Sequence, residues 1–142
     1  MAISNAEWDI MRVVWTKGQA TSGDILTVLG AKNDWSASTV KTLLKRLVDK
    51  GYLATSKLGK GFIYSALLAE SDAMAEQVDE AFSKFCRTKH VAILEHLLAD
   101  RPMTEADISA LQLLLEKKKA SAVDKVVCDC VLGQCKCKEH LN

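Results

Sequence analysis

A mainly α fold with one small β-hairpin is predicted by three observations. Apolar residues recur at helical spacing through most of the chain, most regularly from Val40 to Val48. Two short alternating runs, 52–55 and 62–65, flank a glycine-containing loop. Near the end stand two Cys-x-Cys pairs, Cys128/Cys130 and Cys135/Cys137. These features divide the 142 residues into segments 1–68, 69–119 and 120–142.

Ser4 and Glu7 form a capping box that starts the first helix. Trp8, Met11 and Trp15 then recur at helical spacing, and Gly18 stops the run. Thr21, with Asp24 three residues on, caps a second helix whose apolar face is Ile25, Leu26 and Leu29; Gly30 is expected to end it. The third helix starts at or just after Ser36. Its stripe is Val40, Leu43, Leu44, Leu47 and Val48, and Gly51 ends it. Runs 52–55 and 62–65 follow as strands around the loop 56–61. Three helices followed by such a hairpin make a winged helix-turn-helix.

The outer face of the third helix carries Ser38, Lys41, Thr42, Lys45 and Arg46, with Thr39 at its side. Arginine binds guanine in a bidentate manner, while hydroxyls and lysines reach base edges or phosphates. The hairpin loop is basic, and Lys57 and Lys60 would touch phosphate. Net charge is only +1. From Ser36 to Gly61, however, Lys41, Lys45, Arg46, Lys50, Lys57 and Lys60 are opposed by Asp49 alone. A basic patch on an otherwise acidic chain points to double-stranded DNA as a partner. The three tryptophans read as core anchors, not stacking platforms.

After Ala69 the helical pattern resumes. Met74, Val78, Ala81, Phe82 and Phe85 make one stripe, and Val91, Ile93, Leu94, Leu97 and Leu98 another before Pro102. Thr104 and Asp107 cap a last helix bearing Ile108, Leu111, Leu114 and Leu115, closed by Lys117, Lys118 and Lys119 at the negative end of its dipole. Three short amphipathic helices cannot bury all their apolar faces in a small separate core. A homodimer is therefore expected, and would present two reading helices to a palindrome. His90 and His96, six apart, read as surface residues.

The tail provides the metal chemistry. In an extended segment, residues i and i+2 point to one side, so each Cys-x-Cys presents two sulfurs together. Gly133 permits a reversal between the pairs. Cys128, Cys130, Cys135 and Cys137 are the candidate ligands. Soft thiolates suit Cu(I), with Zn(II) as a competent occupant. His140 reads as a tail residue and Cys86 as a small core residue in a helical pattern.

Residues Met1 to Glu7 contain no basic stretch followed by an apolar run, so no signal peptide is expected. No apolar run approaches membrane-spanning length. The expectation is a cytoplasmic chain with reduced thiols and no membrane partner. No Ser/His/Asp arrangement, paired carboxylates in a glycine-rich pocket or phosphate loop is present, which argues against an enzyme.

Segments 6–15, Trp35-Ser36, 39–47 and Lys50-Gly51-Tyr52-Leu53 resemble the BlaI/MecI family of penicillinase repressors. The terminal Cys-x-Cys-x4-Cys-x-Cys is not part of those repressors. It resembles the signature of their copper-responsive, CopY-type relatives. The resemblance implies a zinc-loaded homodimeric repressor on a TACA…TGTA-type operator of copper-export genes, released when Cu(I) displaces zinc. A copper chaperone delivering Cu(I) is a further expected partner. Penicillinase repressors are instead inactivated by cleavage at an Asn-Phe bond. Residues 98–101 here contain no such dipeptide, which leaves metal exchange as the switch. The rival readings are a copper-buffering or copper-delivery protein without DNA regulation, and a redox-sensing repressor using tail disulfides.

Overall fold

A computed structural model describes residues 2–137. Its helices are α1 (Asn5–Lys17), α2 (Ser22–Asn33), α3 (Ala37–Asp49), α4 (Glu70–Phe82), α5 (His90–Asp100) and α6 (Glu105–Lys119). A short 3-10 turn, Arg87–Lys89, precedes α5. The strands are β1 (Gln19–Thr21), β2 (Leu53–Leu58) and β3 (Gly61–Ala66). The chain divides into two compact units within α4, after Glu76.

Helix starts follow the side chains that satisfy free backbone amides. Ser4, Thr21 and Thr104 each accept from the amide three residues on, and Glu7, Asp24 and Asp107 reach back to complete the box. Ser36 caps α3 by accepting from the Thr39 amide. Gly18 ends α1 at φ 81, where a side chain would be strained.

The second helix runs past its expected end. Gly30 lies inside α2, where a Cβ would come within 3.0 Å of Leu26 Cδ1. The stop is Asp34, left-handed at φ 55, whose N–H bonds the Gly30 carbonyl.

In the first unit, the sheet order is β1-β3-β2, antiparallel throughout. Strands β2 and β3 pair from Leu53↔Ala66 to Leu58↔Gly61, leaving only Gly59 and Lys60 between them. The expected six-residue loop is thus a two-residue turn. Gly59 has φ 59, the sign that a type II′ hairpin requires at its first turn position. The additional strand, β1, is only three residues long, with Ala20 fully buried.

The core of this unit joins Ile10, Met11 and Val14 of α1, Ile25 and Leu29 of α2, and Val40, Leu44 and Leu47 of α3. Leu53 and Ala73 complete it from β2 and α4. The tryptophans pack against this core as expected. Trp8 and Trp15 meet edge to face at 5.2 Å, and Trp15 Nε1 donates to the Leu68 carbonyl at 3.0 Å. Glu7, beyond its capping role, is buried and accepts from Lys50 Nζ with both oxygens at 2.8 Å. This pair ties the start of α1 to the end of α3. Burial alone would raise the Glu7 carboxyl. The bonds from Lys50 and Ser4 outweigh it and hold the pKa below the ordinary value.

In the second unit, α5 and α6 contain no buried residue. Val91, Leu94, Leu113, Leu114 and Leu115 are all exposed in the single chain. His90 differs from its surface expectation: it is half-buried, and Nε2 donates to the Phe82 and Phe85 carbonyls at 2.9 and 3.0 Å. His96 is exposed.

Candidate nucleic-acid interface and candidate metal centre

Burial of Val40, Leu43, Leu44 and Leu47 fixes the rotation of α3. A helix that hides this stripe must turn its other face outward. Ser38, Thr39, Lys41, Thr42, Lys45 and Arg46 are accordingly all exposed. Ser36 Oγ lies 3.0 Å from Ser38 Oγ and 3.1 Å from Thr39 Oγ1, so the cap also groups the hydroxyls at the helix start. Thr42 Oγ1 donates to the Ser38 carbonyl at 3.0 Å. Lys45 pairs with Asp49 at 3.3 Å, an exposed i,i+4 contact of little strength. Lys57 lies in β2 and Lys60 in the turn, both exposed. The face offers hydroxyls, an arginine and lysines on one rigid helix, with two further cations on the hairpin.

The second site is built at the end of the chain. Gln134 N–H bonds the Val131 carbonyl at 3.0 Å, and Gly133 has φ 95. This is the pattern of a type II turn, which needs glycine at that position. It folds Cys135 and Cys137 back beside Cys128. Cys128 Sγ and Cys135 Sγ stand 3.3 Å apart.

Cys86 is also in this cluster. It lies after α4 rather than within a helix, and its sulfur stands 3.5 Å from Cys128 Sγ and 3.6 Å from Cys137 Sγ. It is buried, as a core residue would be, but among tail sulfurs. Sequence periodicity could not reveal this, because the partners are 42 and 51 residues away. Cys130 falls in a second group with Cys86 and Asp129.

Thr88 pulls the Cys86 thiol down to about 6 by hydrogen bonding, against the effect of burial. Burial and the neighbouring thiol of Cys86 push Cys130 up to about 11. The backbone N–H of Cys137 lowers Cys135. The cluster thus mixes groups disposed to hold and to lose protons. Any metal that recruits them all must release protons, so its affinity would rise with pH.

These donors fit a soft metal. None of the five cysteines is in a disulfide, and separations of 3.3–3.6 Å are far beyond a disulfide bond. Sulfurs about ~2.3 Å from one tetrahedral ion stand roughly 3.8 Å apart. The sulfurs of Cys86, Cys128, Cys135 and Cys137 all lie within 4.8 Å of one another.

Comparison with known proteins gives the family. The penicillinase repressor model matches residues 3–117. An uncharacterized 16.5 kDa protein from Latilactobacillus sakei is 41% identical over 138 residues, 97% of this chain and 94% of its own. The chain belongs to the penicillinase repressor family. The methicillin resistance regulatory protein MecI of Staphylococcus aureus (strain N315) is 29% identical over 116 residues, 82% of this chain and 94% of MecI. A solved structure of the CopR repressor is 44% identical over 48% of this chain and 99% of that chain, with a TM-score of 0.42. The family consists of transcriptional repressors, not enzymes. Its match stops at residue 117, so the cysteine tail lies beyond the shared part. No helix among the described residues is long and apolar enough to cross a membrane.

Proposed function

We propose that this chain is a copper-responsive repressor acting in the cytoplasm. As a zinc-loaded homodimer it holds a palindromic operator of copper-export genes. Cu(I) entering the tail thiolates displaces zinc and releases the DNA. The observation that carries this reading is the convergence of tail sulfurs beyond the repressor part of the chain. Soft thiolates at this spacing select Cu(I) and zinc over harder ions.

Ser38, Thr39, Lys41, Thr42, Lys45 and Arg46 read the operator, and Lys57 and Lys60 anchor phosphates beside it. Their shared exposure supports this role. The unburied apolar residues of α5 and α6 support self-association, since a water-soluble chain gains by covering such faces. Two copies then place two reading helices on two half-sites.

The test is a gel shift at fixed salt with a TACA…TGTA palindrome and a scrambled control. Zinc-loaded protein is expected to bind the palindrome specifically and to lose it when Cu(I) is added under reducing conditions. Absence of specific binding in both metal forms would reject the repressor reading for this operator. It would favour a metal-buffering protein, for which the exposed basic face of α3 has no use.

A further inference from the structure

We infer that Cys86 is itself a ligand of the metal centre, shared by two groups of donors, and that it fastens the tail to the helical part of its unit. This rests on reading the tail cysteines as a metal centre. Among the described residues, the donors that meet closely enough for one tetrahedral ion are Cys86, Cys128, Cys135 and Cys137. That set holds three tail cysteines and leaves Cys130 over. Cys130 forms the second group with Cys86 and Asp129, within the same 4.8 Å limit. Cys86 is common to both groups. A sulfur so placed can bridge two ions, as low-coordinate Cu(I) with shared thiolates requires.

The surroundings of Cys86 hold the tail in place. The Arg87 backbone N–H donates to Asp129 Oδ1 at 3.1 Å, and its guanidinium lies 3.9 Å from the same carboxylate. Thr88 Oγ1 lies 3.0 Å from Cys86 Sγ and 3.4 Å from Cys137 Sγ. Three consecutive residues therefore each contact the tail. Cys86 is 7% exposed, whereas the tail cysteines are half-buried. It forms the floor of the site, and the tail closes over it.

The consequence concerns signal transmission. A centre built from tail residues alone would be joined to the helices only through the segment after Lys119. Cys86 lies between Phe82, the end of α4, and His90, the start of α5. Metal bonded to it pulls directly on that joint. A change from one tetrahedral ion to two ions of lower coordination then alters the joint as well as the tail.

The test uses the full chain with one equivalent of Co(II), whose thiolate charge-transfer absorbance scales with the number of bound sulfurs. Cys86→Ser is expected to lower that absorbance by about a quarter, one sulfur of four. An undiminished band in Cys86→Ser overturns the assignment. A wild-type protein with no thiolate band at all sinks the metal centre itself, a separate outcome. Alkylation with mass spectrometry on the unmutated chain avoids any folding defect of the variant. Cys86 should become reactive when zinc is chelated, and equal reactivity with and without zinc would contradict the proposal.

Discussion

Arg46 is the side chain whose chemistry is most specific for a base, because its planar fork matches guanine. Arg46→Ala should weaken operator binding by about 1–3 kcal/mol, roughly five- to 150-fold, and affect a scrambled duplex less. Fluorescence anisotropy on both duplexes measures the difference. Lys57→Ala and Lys60→Ala should instead weaken both alike. Each should reduce the slope of log affinity against log salt by about 1. Glu7 has a structural role. Its folded pKa is depressed, so its contribution is complete above the ordinary value of 4.5 and is lost as pH falls through the lower folded value. Glu7→Gln should remove about 1–3 kcal/mol and flatten this acid dependence, as followed by urea unfolding between pH 3 and 7. The capping role of Glu7 was legible because both partners lie three residues apart. Its bond to Lys50, across 43 residues, was not. The same distinction explains Cys86, whose sulfur partners stand 42 and 51 residues away.

Local chemistry made most elements readable. The caps at Ser4, Thr21, Ser36 and Thr104 and the buried stripe of α3 all stand where side-chain type and spacing place them. The misjudged ends have physical reasons. Gly30 looks like a stop, but in α2 its missing side chain leaves room for Leu26, and Asp34 supplies the left-handed residue. The hairpin loop looked long because Ser56 and Lys57 are polar, yet polar residues suit an exposed strand equally well. Strand β1 is too short to show any alternation. The turn around Gly133 gives a sharper test. At φ 95 a side chain is strained, so Gly133→Ala should cost the folded-back tail about 1–2 kcal/mol. Zinc affinity, read by competition with a chromogenic chelator, should fall roughly five- to thirtyfold. In α6, Leu114 is 58% exposed in the single chain. If the helices pair two copies, Leu114→Glu should shift the protein toward monomer in sedimentation equilibrium, with α3 and the wing intact.

Two chemistries lie on one chain: an exposed basic face in the first unit and a cysteine cluster in the second. In the proposed switch their coupling need be only ~1–3 kcal/mol to change operator affinity roughly five- to 150-fold. In the proposed mechanism, zinc must favour the DNA-binding form of a dimer over the alternative by that amount, and Cu(I) must not. A ligand with equal affinity for both forms would shift nothing. The most direct measurement is therefore operator release in a variant with Cys128, Cys130, Cys135 and Cys137 all changed to Ser. Anisotropy of labelled operator is followed as Cu(I) is added to wild type and variant under reducing conditions. The account predicts release from wild type and none from the variant at the same Cu(I) concentration. Release from both, with equal midpoints, would contradict a sensor built from the tail cysteines.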